Sequence, residues 1–156
     1  MATTAGQGAV LDFARARAKS SKRACLNHLP KEAMRLLVVD DELDTAQTIA
    51  LLLTHGGHQV SYAVTAKAAL EIAAEEKPNA IVLDLGLSDM DGIELARRLK
   101  ALDGARQARI VAITGRMNDA EPRARAAGCE RVLRKPVTPQ ALDAIIRDGA
   151  EPPSTE

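Results

Sequence analysis

Three carboxylates and an amine stand where short apolar, strand-like runs stop. Leu36 to Val39 runs into Asp40 and Asp41, Ala80 to Leu83 into Asp84, and Arg131 to Arg134 into Lys135. A fourth run, Arg109 to Ile113, ends in the hydroxyl of Thr114. Like charges brought within a few ångströms cannot all stay ionised without a compensating cation. Lys135 is one such cation, and an oxygen-only cluster with room for water also suits a hard divalent ion such as Mg²⁺. An ion of that kind can bridge a carboxylate and an incoming phosphoryl oxygen and neutralise charge developing in an in-line transfer. Asp84 is then the candidate nucleophile. Attack on phosphorus would make an acyl phosphate, and its added charge would fall to Lys135 and the Thr114 hydroxyl. Each residue alone has a plainer reading: Asp40 and Asp41 as a helix N-cap with first-turn charge, Thr114 as a strand-end hydroxyl, Lys135 as a surface amine. The conjunction at successive strand ends is what argues for a site.

The elements that must deliver these groups alternate in period along the chain. Leu36 to Val39 is wholly apolar, as a strand buried on both faces should be. Asp44 to His55 has helical spacing through Ile49, Leu52 and Leu53, and Gly56-Gly57 stops it. His58 to Ala63 reads as the second strand, and Thr65 caps a helix running to about Lys77. Pro78 separates that helix from the strand Ala80 to Leu83. Asp91-Gly92 opens a third helix through Ile93, Leu95, Leu99 and Leu102, and Asp103-Gly104 closes it ahead of Arg109 to Ile113. Asn118 to Ala127 contains Pro122 and few large apolar residues, which predicts a helix that is short or mobile. After Gly128 come the strand Arg131 to Arg134 and a last helix opened by Thr138, with Leu142, Ile145 and Ile146 as its core stripe. Five strands alternating with five helices predict an α/β fold: a doubly wound five-stranded parallel sheet with right-handed crossovers. In such a sheet the C-terminal strand ends share one edge, where these folds carry their sites.

The 156 residues suffice for one domain with a proper core, and the 46% hydrophobic and 27% charged content is that of a globular protein. No apolar stretch approaches the roughly 20 residues of a membrane span, and the N-terminus lacks a secretory pattern, so a cytoplasmic location is expected and no membrane partner. A formal charge of zero hides an asymmetry. Residues 1–34 hold six Lys and Arg against two Asp and Glu, net +4, and residues 35–156 hold fifteen against nineteen, net −4. The organisation expected is a basic extension over 1–33, partly helical (about Ala9 to Ala24) or disordered, a domain over 34–149, and a disordered polar stub over 150–156. The extension could be a docking or nucleic-acid-touching arm or simply a solvated tail. Cys25 and Cys129 form neither a disulfide framework nor a metal-ligand spacing. His28, His55 and His58 are isolated and read as surface residues. Asp89, Asp91, Gly92 and Glu94 fail the spacing of a calcium loop.

Five segments in order, Val38-Val39-Asp40-Asp41-Glu42, Val82-Leu83-Asp84-Leu85, Met90-Asp91-Gly92-Ile93-Glu94-Leu95, Ala112-Ile113-Thr114-Gly115 and Lys135-Pro136, resemble the receiver domain of two-component response regulators. The resemblance covers about Arg35 to Gly149. It implies a flavodoxin-like phosphoacceptor of the cytoplasm, loaded by the phosphohistidine of a sensor histidine kinase or of a histidine phosphotransfer protein. By that resemblance Asp84 is the phosphorylation site and Asp41 a direct Mg²⁺ ligand, with Asp40 acting mainly through water. The backbone carbonyl of Gly86 falls at the family's third protein ligand. Thr114 resembles the switch hydroxyl and Lys135 the lysine that pairs with the phosphate, followed by a cis peptide at Pro136. Two positions depart from the pattern. Val132 stands where the family commonly has an aromatic residue that follows the switch hydroxyl inward, while Tyr62, the only tyrosine, lies in the second strand. Ser88 stands where the loop often has proline, and Gly86 gives that loop added backbone freedom.

The function expected is a phosphoacceptor that signals by protein contact and assists its own phosphorylation and dephosphorylation without a separate enzymatic domain. Only 21 residues follow Lys135, which favours a stand-alone module with a downstream protein partner. The alternatives are a phosphate sink or relay intermediate, or a receiver-regulated nucleic-acid binder using the basic arm, which is the weaker reading; a homodimer is left open. A phosphatase resembling the haloacid dehalogenases would want a second acid two residues after the nucleophile, where Gly86 stands. On phosphorylation, Thr114 should move inward and change the face built from the fourth helix, last strand and last helix.

Overall fold

The computed structural model describes residues 33–115 and 119–148. The basic segment around Ala9 to Ala24, Cys25, His28, the expected helix start at Asn118 and the stub over 150–156 lie outside the described residues. Five strands, β1 (Arg35–Val39), β2 (Gln59–Ala63), β3 (Ala80–Asp84), β4 (Arg109–Thr114) and β5 (Cys129–Arg134), alternate with five helices. The helices are α1 (Leu43–His55), α2 (Ala66–Glu76), α3 (Gly92–Ala101), α4 (Ala120–Ala126) and α5 (Pro139–Asp148). All four strand pairs are parallel, in the order β2-β1-β3-β4-β5. The expected doubly wound sheet is therefore present, and its strand order reverses between β1 and β3.

Alternation along each strand divides the core into two layers. Leu37, Val39, Ile81, Leu83 and Ile110 face the layer completed by Ile72 of α2 and Leu95 and Leu99 of α3. Leu36, Val38, Val82 and Val111 face the other, against Leu53 of α1 and Leu142, Ile145 and Ile146 of α5. With both faces covered, the strands carry the continuous apolar runs that such burial requires.

Local chemistry starts and stops the helices. Thr65 Oγ1 accepts from Ala68 N at 3.1 Å, Asp91 Oδ1 from Ile93 N at 3.1 Å, and Thr138 Oγ1 from Ala141 N at 3.2 Å, each satisfying an otherwise orphaned amide. Neither Asp40 nor Asp41 caps α1: Glu42 holds the N-cap position, its carboxylate accepting from Thr45 Oγ1 at 3.1 Å and not from a helix amide, which leaves the two aspartates for other work. Gly57, at φ +99, ends α1 in the left-handed region. α4 has seven residues, as short as Pro122 implies. β5 starts two residues earlier than its apolar run, at Cys129. A register shift puts Ile110 opposite Cys129 but Val111 opposite Arg131, so Glu130 is the extra residue of a bulge.

His58 corrects an expectation. Its place beside a glycine turn reads as surface, yet its side chain has 0% exposure. Its Nδ1 accepts from Met34 N at 3.3 Å, so the proton sits on Nε2, which donates to Asp143 Oδ1 of α5 at 2.6 Å. Arg147 Nε holds both oxygens of Asp143, at 3.0 and 3.1 Å, and Arg147 Nη2 reaches Gly56 O. The imidazole is buried because its two nitrogens find partners far apart in the sequence. Burial keeps it below its ordinary pKa and outweighs the bond to Asp143, so it is neutral.

Candidate functional site

Parallel pairing fixes where the side chains identified above must meet. Asp40 follows β1, Asp84 ends β3, Thr114 ends β4 and Lys135 follows β5, so four neighbouring strands each deliver one group to the same edge. Backbone bonds tie the edge together: Leu85 N donates to Ile113 O at 2.9 Å and Lys135 N to Thr114 O at 2.9 Å. The result is a cleft of about 570 Å³, lined among others by Asp40, Asp41, Asp84, Gly86, Thr114 and Lys135. All the sequence-derived site residues are brought together there.

One carboxylate oxygen from each of Asp40, Asp41 and Asp84 lies within 4.8 Å of the other two. Asp40 and Asp84 are buried, at 4% and 7% exposure, and Asp41 is exposed. Both buried carboxylates are held the same way. Asp40 Oδ1 accepts from Glu42 N and Asp84 Oδ1 from Gly86 N, each at 2.9 Å, which turns both Oδ2 atoms toward Lys135. Lys135 Nζ is 3.2 Å from Asp84 Oδ2 and 4.0 Å from Asp40 Oδ2. Burial raises the pKa of Asp40, and the charge of Asp84 adds to that against the opposing Glu42 amide bond and Lys135. Burial alone would lower the Lys135 pKa; its bond to Asp84 and the charges of Asp84, Asp40 and Asp41 outweigh this and raise it. The amine is thus firmly cationic, and the cleft keeps an excess of negative charge. Three carboxylate oxygens at these separations, one of them solvent-facing, fit a small hard cation by donor type and by charge.

Two glycines shape the walls. A Cβ on Gly92 would stand 2.5 Å from Leu85 Cα and 3.0 Å from Asp84 O, so glycine is what lets the start of α3 press against the end of β3 and the loop that follows Asp84. A Cβ on Gly115 would meet nothing within 4 Å among the described residues, which leaves the cleft open beside Thr114. Gly86 is outside the left-handed region, so the added freedom expected there is not in use in this conformation. Lys135-Pro136 is cis, as the resemblance implies. Val132 is buried, and the Tyr62 hydroxyl, in β2, accepts from Gln47 Nε2 at 3.0 Å, away from the cleft. Sequence reasoning missed Arg123. It reaches the cleft from α4 with its Nη2 3.7 Å from Asp91 Oδ2. An arginine on a short, proline-bearing helix gave no signal of this.

Residues 36–147 match the response regulator receiver domain. The chain belongs to that family. This receiver is 34% identical over 113 residues to the transcriptional regulatory protein AfsQ1 of Streptomyces coelicolor, an alignment that takes in 72% of the chain and 49% of AfsQ1. It thus spans about half the length of that relative. A response regulator from Burkholderia pseudomallei, solved with a phosphorylated aspartic acid, a calcium ion and citrate, superposes with a TM-score of 0.68 at 31% identity, over 74% of this chain and 68% of that one. The receiver domain of a sensor histidine kinase from Pseudomonas aeruginosa, with magnesium in its active-site cleft, superposes with a TM-score of 0.66 at 25% identity, over 76% of this chain and all (100%) of that one. No helix among the described residues is long and apolar enough to cross a membrane.

Proposed function

We propose that this receiver takes a phosphoryl group on Asp84 from the phosphohistidine of a sensor kinase or histidine phosphotransfer protein, and signals through protein contacts that depend on that group. The observation that carries the reading is the pairing of a buried Asp84 carboxylate with Lys135 Nζ at 3.2 Å in a cleft that already holds Asp40 and Asp41. Asp84 Oδ2 is the attacking atom: it faces the cleft beside Lys135 Nζ, which can pass to the incoming phosphoryl group, while Oδ1 is fixed by the backbone at Gly86 N. As its bond to phosphorus forms, the P–N bond of the donor breaks and its electron pair leaves with the imidazole, which departs neutral when its other nitrogen is protonated. Lys135 then pairs with a phosphoryl oxygen, and the Thr114 hydroxyl supplies a donor at the neighbouring strand end. Asp40, Asp41, Asp84 and the Gly86 carbonyl are the groups that would hold Mg²⁺, which supplies charge neutralisation during transfer. The related Burkholderia and Pseudomonas proteins, with a phosphorylated aspartic acid in one and magnesium in the other, support both parts.

Intact mass after incubation with Mg²⁺ and acetyl phosphate tests the reading. The parent should gain one phosphoryl group, only with Mg²⁺ present, and Asp84→Asn none. No gain by a folded parent would overturn it in favour of a receiver that acts as a constitutive binding module.

A further inference from the structure

Val132 removes the aromatic side chain through which the resemblance would couple the cleft to the face beyond it, so another route from the phosphoryl group to the surface is needed. α4 carries one. Arg123 and Lys135 are the two cations among the described residues lining the cleft, against five acids: Asp40, Asp41, Glu42, Asp84 and Asp91. Lys135 is already engaged by Asp84 and Asp40. Arg123 is held only loosely: its Asp91 contact is 3.7 Å long, and both side chains are 57% exposed, the kind of ion pair that contributes little. Asp91 does not depend on it, because its other oxygen caps α3 through Ile93 N. Among the described residues, none stands beside Gly115 to block the guanidinium on its way across the cleft mouth.

Resting on the phosphoacceptor reading above, we propose that Arg123 is a second phosphoryl-binding residue, which exchanges Asp91 for the oxygens of the group on Asp84 and thereby couples phosphorylation to α4. A phosphoryl group adds nearly two negative charges and three strong acceptors, whereas Asp91 offers one carboxylate oxygen at long range. A guanidinium matches phosphate oxygens with paired donors that an ammonium does not provide. α4 is the element this exchange would move. It has only seven residues, with Ala124 as its one buried side chain and Arg123 next to that anchor. Drawing Arg123 toward Asp84 releases the α3 start from α4 and turns a seven-residue helix about its anchorage on β5, where Ala124 is buried and Arg125 Nη1 donates to Glu130 O at 3.3 Å. The coupling would thus be electrostatic, where an aromatic rotamer change is not on offer.

The test uses beryllium fluoride, a phosphoryl mimic that binds the aspartate reversibly, together with acetyl phosphate labelling of the same proteins. Removing one charge-assisted hydrogen bond should weaken binding about tenfold. Arg123→Gln should therefore bind beryllium fluoride with Mg²⁺ about tenfold more weakly than the parent, and its α4 amide signals should no longer shift on binding. Arg123→Lys should fall between them. Asp91→Asn keeps the α3 cap while releasing Arg123, so it should bind more tightly than the parent, and that gain should disappear in the Arg123→Gln background. A gain of equal size in both backgrounds would mean that Asp91 acts only by its own charge, and the exchange would be overturned. So would an Arg123→Gln variant that binds like the parent. If the folded parent takes up neither acetyl phosphate label nor mimic, the phosphoacceptor reading itself fails; a labelled parent with an indifferent Arg123 variant overturns the Arg123 proposal alone.

Discussion

At the scale of single residues, the cleft sets carboxylates against one another for the sake of chemistry, and stability should show it. Asp40→Asn keeps the acceptor for Glu42 N while removing one of three crowded charges, so its thermal midpoint in Mg²⁺-free buffer at neutral pH should rise by roughly 2 to 5 °C. Adding Mg²⁺ should raise the parent midpoint and raise that of Asp40→Asn much less, since binding to the folded state stabilises it by mass action. Calorimetry with and without the ion reads both; a parent indifferent to Mg²⁺ would contradict the donor-set argument. Gly115→Val makes a separate prediction. Among the described residues the space beside Gly115 is open, so on the proposed reading a small donor or an attacking water approaches there; valine should slow both phosphorylation and dephosphorylation severalfold, and unchanged rates would sink the idea. Most of these residues were legible in the sequence because strand ends announce themselves: an apolar run that stops at a charged or hydroxyl side chain reads the same with or without coordinates. Arg123 was not, because what brings it to the cleft is the docking of α4 against α3 and β5, which leaves no periodic trace in seven residues.

At the scale of elements, two contacts decide how firmly the site is framed. α3 begins against the loop after β3, and the close approach at Gly92 leaves no room for a methyl group. Gly92→Ala should cost about 1–3 kcal/mol by overpacking and should also disturb Asp84, whose carbonyl is one of the atoms met; denaturant unfolding of the variant checks the first part. The motif around Gly92 could be read from the sequence, but the need for glycine could not, since it depends on the position of Leu85. The foot of the sheet escapes the sequence for a similar reason. His58 looks like a turn residue until Asp143, 85 positions away, closes on it, and only the folded chain supplies that partner. The consequence is a pH dependence of definite sign. The folded pKa of His58 lies below its ordinary value of 6.5, so as pH falls through that value the unfolded chain takes up the proton first, and folding weakens until the folded imidazole is protonated as well. Its full contribution is present above pH 6.5. The charged groups facing it are Asp143 and Arg147, both on α5. Thermal midpoints should therefore fall as pH drops from neutrality into the acid side of this window, and His58→Gln should flatten that part of the profile. A parallel fall in both proteins would assign the effect elsewhere.

At the scale of the whole molecule, the order β2-β1-β3-β4-β5 does most of the assembly. It sets β1, β3, β4 and β5 side by side, about 4.8 Å apart, so the proposed nucleophile, its acidic neighbours and a hydroxyl meet at one edge, and the long Lys135 side chain reaches across β4 to join them. The reversal of strand order between β1 and β3 opens the crevice in which they sit. This was the most legible level, because five apolar runs separated by helical periods admit few other arrangements. On the proposed reading, the output of the receiver depends on the surface that changes, and the Arg123 proposal puts that surface at α4. All of this stands on the identity of one atom. The most direct test is to phosphorylate the parent with acetyl phosphate and Mg²⁺, reduce the product with borohydride, and locate the reduced residue by peptide mass spectrometry. Reduction of an acyl phosphate leaves an alcohol in place of the carboxyl group, so homoserine is expected at position 84, with unaltered aspartate at positions 40 and 41. A reduced residue at any other position, or a phosphoryl group that resists borohydride, would contradict Asp84 as the phosphoacceptor.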